Sequence, residues 1–425
     1  MKKALLYLLF AVLALVLSAG VALYLVVRLA LAPGPDEWPA RLKLGPATVD
    51  VGVPTALRLA TSSWFAPWFE GRTIDTAYGQ IRIAWNAPAN ALELECAPCS
   101  AQVPALGPEP VRMQRLKVTA RRDAGSLDGM IEVFPSVPTG AADGASGDGA
   151  IRARWDGRLT QKSLQVGIRA PDAPISRWYA LLAPGIPELQ RAHIAGTLAL
   201  QVQVVLPAGR VSVQPQLSQF SVEGLGVEAL LSARAGCGTP SRLTIESWLA
   251  RAVIAAEDPR FFVHPGYELA DLTAPFQTGS KPSRAEHGGG TVTQRLAGLL
   301  VDPDGPESVR PLRELLYAVE LEQTLGKSRI LQLYLDNAPW GMEICGAEAA
   351  ARRYFKRSAR NLEPAQAVWL ASMLGNPQAA LDKWRRDGQV DPERARNVAE
   401  GMRGITRIQR DALIRNLASA HFAPP

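Results

Sequence analysis

The sequence contains few cysteines, and their spacing does not indicate a metal site. Only four occur among 425 residues. Cys96 and Cys99 form one Cys-x-x-Cys pair, ECAPCS, without a second pair at the spacing of zinc ligands. Ala97 and Pro98 do not predict the helix that a redox motif needs. We therefore expect a local disulfide in a loop, and we predict no metal ligands.

The chain also lacks a P-loop. Its glycine-rich segment HGGGTVTQRLAG, residues 287–298, is not followed by Gly-Lys-Ser/Thr. Three consecutive glycines before a helix nevertheless expose backbone N–H groups, which can approach a phosphate or a sugar closely. A flexible loop capped by Thr291 explains the same residues, and both interpretations stay open at this point.

The composition is that of a globular protein, with 47% hydrophobic and 20% charged residues. The length allows two or three domains. A formal net charge of +6 favours an anionic partner, which could be a phospholipid surface, a phosphorylated substrate or nucleic acid. Charge alone does not choose among these three.

The N-terminal segment is an uninterrupted apolar run, residues 4–27, preceded by Lys2 and Lys3. At about 1.5 Å per residue, such a helix exceeds the roughly 30 Å hydrocarbon core of a bilayer. A cleaved signal peptide is the alternative, but Arg28 and Pro33 flank the candidate cleavage site unfavourably. We expect a single-pass anchor in the inner membrane over residues 1–33, with a cytoplasmic N-terminus and a periplasmic bulk.

Residues 34–238 predict a β-rich domain, because apolar and polar residues alternate with a period of two. The clearest segments are IRIAW (81–85), LELEC (92–96), RLKVT (115–119), IRARW (151–155), LALQVQVV (198–205) and RVSVQ (210–214). A small-residue loop at 139–150 allows two subdomains, and one short helix is expected at 173–184.

Residues 239–425 predict an all-α domain. The helical segments begin with SRLTIESWLARAVIAAE (241–257), TVTQRLAGLL (291–300), LRELLYAVELEQTL (312–325) and SRILQLYLDN (328–337). GAEAAARRYF (346–355), EPAQAVWLASML (363–374) and PERARNVAEGMRG (392–404) follow.

The segment AVIAAEDPRFFVHPG, residues 252–266, places Glu257 and Asp258 at the end of an apolar run. Phe261 and Phe262 can bury a carboxylate and raise its pKa toward the range of a general base. In an arbitrary sequence, an ordinary helix end that meets a loop is the more frequent explanation of such a pair.

A third motif is RPLRELLYAVELE, residues 310–322. Arg310 and Glu314 form an exposed ion pair if the whole segment is helical. Pro311 is better placed as the first helical residue, which would leave Arg310 outside the helix and able to point elsewhere.

These three motifs, in this order, resemble those of the peptidoglycan glycosyltransferases of family 51, which include the monofunctional transglycosylases. The first motif is matched by Glu257, Asp258, Phe261, His264 and Gly266. GGGTVTQRL from Gly288 is similar to the second motif, and Arg310 with Glu314 to the third. Later segments from Lys327 and Gly346 are also similar, so the resemblance covers about residues 240–402.

The resemblance implies a lysozyme-like α fold that polymerises lipid II by inverting transfer from a lipid pyrophosphate. Glu257 would be the general base on the acceptor hydroxyl. The catalytic Glu314 would lie with Arg310 at the pyrophosphate and orient cationic groups or a divalent ion, magnesium or manganese. Substrate-binding roles are implied for Asp258, Phe261, His264, Gly266, Gly289, Thr291, Thr293, Gln294, Arg295 and Arg310.

The expected architecture is therefore a transmembrane helix, a β-rich periplasmic domain and a lysozyme-like glycosyltransferase domain. Expected partners are lipid II, the nascent glycan strand, the membrane and the transpeptidases of the cell-wall machinery; a nucleic-acid partner is not expected. Without a downstream Ser-x-x-Lys, the chain encodes no transpeptidase of its own.

The sequence departs from the family pattern beside the pyrophosphate. Gly298 and Leu299 replace Lys-Asn, Pro311 replaces a lysine, and Gly290 and Arg295 replace Ser and Gln. The loss of two lysines weakens stabilisation of the leaving group. Either Arg295 or Arg313 is a candidate substitute for the lost charge.

Two further questions stay open in the sequence. We hypothesise that Cys237 and Cys345 form a disulfide that joins the inter-domain linker to the α domain. The alternative is that the two cysteines occur at these positions by coincidence and do not pair. A degenerate module that binds lipid II as a scaffold, or a hydrolase with two carboxylates, also fits part of the pattern.

Overall fold

The computed structural model describes residues 32–44, 47–103, 110–136, 149–231, 239–274, 290–302 and 309–423. The N-terminal half is rich in β-strands, and the region after residue 239 is helical. This confirms the predicted change from a β to an α region. The position of the boundary between residues 238 and 239 stays a prediction.

The described strands lie in the N-terminal half. They are β1 (Pro39–Leu44), β2 (Ala47–Gly52), β3 (Thr73–Thr76), β4 (Gly79–Asn86), β5 (Ala91–Cys96), β6 (Cys99–Ala101), β7 (Val111–Asp123), β8 (Ser126–Pro135), β9 (Ile151–Leu159), β10 (Leu164–Pro174), β11 (His193–Leu206) and β12 (Arg210–Glu223). All six segments predicted from their alternation fall within these strands.

One antiparallel sheet of ten strands dominates this half. Its order is β12-β11-β10-β9-β8-β7-β5-β4-β3, with β6 on β7, while β1 and β2 pair separately. β8 and β9 flank the small-residue loop, most of which lies outside the described residues, and they are neighbours in this one sheet. In β9, Ile151 and Ala153 are buried whereas Arg152 and Arg154 are exposed, so one face of the sheet is solvated.

In the described part of this half, three α-helices accompany the sheet: α1 (Val53–Ala60), α2 (Ile175–Leu182) and α3 (Glu188–Arg191). α2 confirms the helix predicted at 173–184, and it buries Ile175, Tyr179 and Leu181. A disulfide joins Cys96 and Cys99, as expected from their spacing.

The C-terminal half is built from helices. They are α4 (Trp248–Glu257), α5 (Leu269–Thr273), α6 (Val292–Leu300), α7 (Arg310–Asn337), α8 (Ala347–Phe355), α9 (Pro364–Met373), α10 (Pro377–Asp387), α11 (Pro392–Gly401) and α12 (Arg407–Ser419). α7 contains a break at Gly326, where φ is +72°, and this break separates the two helical segments predicted there.

Two helix starts differ from the prediction. α4 begins at Trp248 rather than near residue 241, because Ser241 donates from its backbone N–H and its hydroxyl to Asp336 at 2.9 and 2.6 Å. These bonds hold the preceding segment away from a helical course. α7 includes Arg310 as its first residue. The prediction that Arg310 lies outside the helix was therefore wrong.

The two halves share one hydrophobic core. Buried residues of the N-terminal half, among them Ile175, Ile194 and Val222, belong to the same cluster as Leu249 and Leu316 of the helical half. The contact between the halves therefore excludes water in the same way as a domain interior.

The expected membrane anchor needs correction. Nowhere in the described ranges does a helix combine the length and the apolar character needed to cross a membrane. The longest helix, α7, carries charged residues such as Glu314 and Glu320 and is interrupted at Gly326. The predicted span itself, residues 4–27, lies outside the described residues. The fold class is thus a β-rich half joined to an α-helical half, and the single-pass inner-membrane localisation was wrong.

Candidate active site

A cleft of about 310 Å³ opens in the helical half. Its walls come from α6, from the first and last turns of α7, from the residues just after α7, and from the segment between α9 and α10. The lining residues are Gln294, Arg295, Gly298, Leu299, Arg310, Glu314, Tyr334, Pro339, Leu374, Gly375 and Pro377. Four of the residues predicted for the site, Gln294, Arg295, Arg310 and Glu314, therefore meet at one cavity.

Glu257 is buried directly beside this lining. It is the last residue of α4, a helix held in the core by Leu249, Ala252 and Val253. The carboxylate side chain has no exposed surface, so rigid packing of α4 determines where it points.

Two arginines from distant parts of the chain meet at Glu257. Nη2 of Arg295 lies 2.9 Å from Oε2, and Nη2 of Arg394 lies 3.1 Å from Oε1. Arg394 belongs to α11 and also donates to the carbonyl of Leu374 at 2.8 Å. The Arg295 contact is an ion pair, and Oε2 has no other hydrogen-bond partner among the described residues. One oxygen of Glu257 can therefore still accept a proton.

Burial raises the pKa of Glu257, and the positive charges of Arg295 and Arg394 offset this rise only in part. Tyr334 lies close enough to Glu257 and Arg295 for their charges to act on it, and burial raises the pKa of its phenol. The site thus combines a carboxyl group with increased basicity and a tyrosine that stays neutral.

Asp258 and His264 form a buried network rather than part of the cleft lining. The backbone N–H of Gly266 donates to Nδ1 of His264 at 3.0 Å, so Nε2 carries the proton that it donates to Asp258 at 2.9 Å. Asp258 also accepts from the backbone N–H of Val292 at 2.9 Å. The network joins the end of α4 to the start of α6. Direct substrate contacts of Asp258, His264 and Gly266 stay a prediction.

Phe261 is fully buried, and the ammonium of Lys327 lies 4.7 Å from the centre of its ring. Phe262, by contrast, is 53% exposed. The expectation that it helps to exclude water from the Glu257 carboxylate was therefore wrong. Lys327 pairs with Glu322 at 2.7 Å, and the Thr293 hydroxyl donates to the same carboxylate at 2.5 Å. Thr293 and Phe261 therefore contact the Glu322–Lys327 ion pair and stabilise the packing of the helices around the site.

Thr291 and Gln294 cap the N-terminus of α6. The Thr291 hydroxyl accepts from the Gln294 backbone at 3.0 Å, and the Gln294 side chain accepts from the Thr291 backbone at 3.0 Å. Thr291 also donates to the carbonyl of Gly266 at 2.6 Å. The cap fixes the start of α6 and therefore the position of Arg295. Gly289 lies outside the described residues.

Arg310 and Glu314 form the other wall of the cleft. Nε of Arg310 donates to Glu314 at 3.0 Å, and its Nη2 donates to the carbonyl of Gly298 at 2.9 Å. A Cβ at Gly298 would lie 3.0 Å from the Glu314 carboxylate. The position where the family carries a lysine is thus directly opposite Glu314.

The structure separates the two candidate substitutes for the lost lysines. Arg295 lines the cleft, whereas Arg313 points away from it and pairs with Glu188 of the N-terminal half at 2.9 Å. Arg313 therefore supplies no charge to the cleft.

Sequence reasoning missed Arg394, which lies 137 residues after Glu257. Its segment, PERARN, has helical spacing but no local signal that links it to a carboxylate of another helix. Cys345 is disulfide-bonded, and its hypothetical partner Cys237 lies outside the described residues.

Comparisons with known proteins find a family match in the helical half. The chain is 42% identical over 134 residues to the biosynthetic peptidoglycan transglycosylase of Thiobacillus denitrificans, which covers 32% of this chain and 58% of that protein. Identity to the protein of the same name from Nitrosomonas europaea is 45% over 134 residues, or 32% and 55% of the two chains. The chain therefore spans less than two thirds of the length of these relatives. Residues 239–403 match the family model described as Transglycosylase, so this region of the chain is similar to that family.

Proposed function

We propose that the chain is a peptidoglycan glycosyltransferase that polymerises lipid II into glycan strands by inverting transfer. One observation carries the proposal: a buried carboxylate, Glu257, lies at a cleft whose opposite wall is the Arg310–Glu314 pair. The names of the relatives support the same activity.

Glu257 acts as the general base in this proposal. Its Oε2 takes the proton of the acceptor's sugar hydroxyl, and the resulting oxygen nucleophile attacks the anomeric carbon of the donor. The new C–O bond forms as the bond to the lipid diphosphate breaks, and the electron pair leaves with the diphosphate. Burial supports this role, because it raises the pKa of the carboxyl toward the working pH of a base.

Arg310 and Arg295 are the cleft cations nearest to the developing negative charge of the leaving group. Glu314 orients the guanidinium of Arg310 through their 3.0 Å contact. The buried Nε of Arg295 has no hydrogen-bond partner in the described part of the chain, so it can donate to an anion in the cleft. These arginines take over the task of the lysines that are absent at positions 298 and 311.

A divalent cation, magnesium or manganese, would have to rely mainly on substrate oxygens. In the described ranges, no three His, Cys, Asp or Glu side chains form a cluster that could hold a metal. Glu314 alone would be a protein ligand, and it is paired with Arg310. The residues therefore do not fit a resident ion, and each step above uses only side chains of the chain itself.

The substrates in this proposal are lipid II and the nascent glycan strand, and the contact with a membrane is made through the lipid of the substrate. Transpeptidases that cross-link the strands are the proposed protein partners.

A scaffold that binds lipid II without polymerising it is the second candidate. It is favoured by the ion pairs that already engage Arg295 and Arg310, and by the glycine at position 298.

Product analysis decides between these functions. Full-length protein and a Glu257→Gln variant are incubated with labelled lipid II, and the products are resolved by length. We expect long strands from the wild type alone. Lipid II binding without strands from either protein would establish the scaffold, and shortened glycan strands would indicate a hydrolase.

A further inference from the structure

The β-rich half packs against α7, the helix whose first turns face the cleft. The hydroxyl of Tyr179 donates to the carbonyl of Leu312 at 2.9 Å. Further along, the backbone N–H of Leu225 donates to both carboxylate oxygens of Glu320, at 3.1 and 2.9 Å. α7 is therefore shared: one side forms the wall of the cleft, and another side is covered by the N-terminal half.

A buried ion pair of Glu188 and Arg313 crosses the contact between the halves. Nε of Arg313 lies 3.1 and 3.0 Å from the two carboxylate oxygens, and Nη2 lies 2.9 Å from one of them. The side chains are 0% and 4% exposed. Because water does not reach this pair, the carboxylate determines the orientation of the guanidinium.

Arg313 connects this ion pair to the cleft. Its Nη1 donates to the carbonyl of Asp302, just after the end of α6, at 3.0 Å. Arg310, one turn earlier in α7, donates to the carbonyl of Gly298 within α6 at 2.9 Å. Two arginines on adjacent turns thus hold α6 against α7, and α6 carries Arg295 into the cleft.

We propose that Glu188 of the β-rich half is a positioning residue for the cleft. Through Arg313 it fixes the placement of α6 relative to the first turn of α7, and so the spacing of Arg295, Arg310 and Glu314 around a lipid diphosphate. The inference rests on the proposed function. It makes the β-rich half a structural part of the catalytic unit rather than a separate binding module.

The test compares full-length variants. Glu188→Gln keeps the shape of the side chain and removes its charge, and Glu188→Asp keeps the charge. The matched control is Tyr317→Phe, which removes the hydroxyl that accepts from Arg191 at 2.5 Å in the same interface, one turn further from the cleft. The measurements are KM and kcat with labelled lipid II, direct binding of lipid II, and amide hydrogen exchange along α6 and α7.

We expect Glu188→Gln to raise KM and the dissociation constant of lipid II by about tenfold, which corresponds to one charge-assisted contact. Exchange should become faster at the end of α6 and in the first turn of α7. Glu188→Asp should recover part of the affinity, and Tyr317→Phe should leave both constants unchanged.

A double variant keeps the test decisive if Glu188→Gln unfolds. Glu188→Gln with Arg313→Gln leaves no unpaired buried charge, yet it loses the contact with Asp302, so it should weaken lipid II binding as well. Wild-type binding in a folded Glu188→Gln or double variant would overturn the inference, as would an equal loss in Tyr317→Phe. A wild type that binds lipid II without polymerising it would refute the proposed function, whereas the binding comparison would still decide the role of Glu188.

Discussion

The guanidinium of Arg295 lies 2.9 Å from Oε2 of Glu257 and also lines the cleft. The same cation can therefore stabilise the ionised base and meet an anionic substrate. Arg295 stands where the family motif is expected to have glutamine, so this charge departs from that motif. A substrate that draws Arg295 toward its phosphates would leave Glu257 with Arg394 as its main counter-charge.

Glu257→Gln should abolish strand formation. An amide of the same shape cannot take a proton from the acceptor hydroxyl, so we expect a loss of about 10²-fold or more in kcat. Glu400→Gln, a change at an exposed carboxylate of α11 that pairs with Arg396, is the matched control and should leave the rate unchanged. Strand formation at the wild-type rate by Glu257→Gln would remove Glu257 from the mechanism.

Arg295→Gln should shift the pH dependence of activity. The positive charge lowers the pKa of Glu257, so its loss raises that pKa further above the usual value. Because the base works in its ionised form, the acid limb of kcat/KM should move to higher pH. Arg396→Gln, at an exposed arginine, should leave the profile in place. An unmoved acid limb in Arg295→Gln would show that Arg295 does not control the base.

Gly298→Lys should increase activity. The new side chain starts opposite Glu314 and brings a cation to the cleft, where we expect a gain of about tenfold in kcat/KM for lipid II. Gly298→Ala adds the same Cβ without a charge and is the control for effects on helix α6. An equal gain in both variants would attribute the effect to the helix rather than to the charge.

Gly266→Ala should destabilise the fold. Gly266 has a φ of +92°, and a Cβ there would lie 2.6 Å from the side chain of Glu322 and 3.0 Å from the carbonyl of Ala318. The strained backbone of an alanine at this φ and the displacement of the Glu322 side chain should together lower the free energy of unfolding by about 1–3 kcal/mol. Denaturant titration measures this change.

Gly388→Ala is the control for this prediction. Gly388 also has a positive φ, +71°, but no described atom lies within 4 Å of the position of a Cβ. The Gly388→Ala variant should have the backbone strain alone, so its free energy of unfolding should fall by less than that of Gly266→Ala. Equal losses in the two variants would contradict a clash at Gly266.

Strands and helices were well predicted from the sequence, because each depends on the spacing of apolar and capping residues within its own segment. Alternation in β9 and in its neighbours follows from burial of one sheet face, and the capping box of Thr291 and Gln294 is readable from their spacing. The motifs with Glu257 and Glu314 occur on opposite sides of the cleft. The helix start at Trp248 was missed because a contact with Asp336, far along the chain, decides it.

The sequence by itself thus determined the change from strands to helices, the local disulfide and the candidate base. Only the tertiary structure decided which cations serve that base. Arg295 and Arg394 converge on Glu257 because α6 and α11 pack beside α4, whereas Arg313, adjacent to Glu314 in sequence, is turned to Glu188 in the other half. Charge pairing in a buried site depends on which helices meet and on which side of each helix faces the contact, and neither is encoded in the spacing of a single segment.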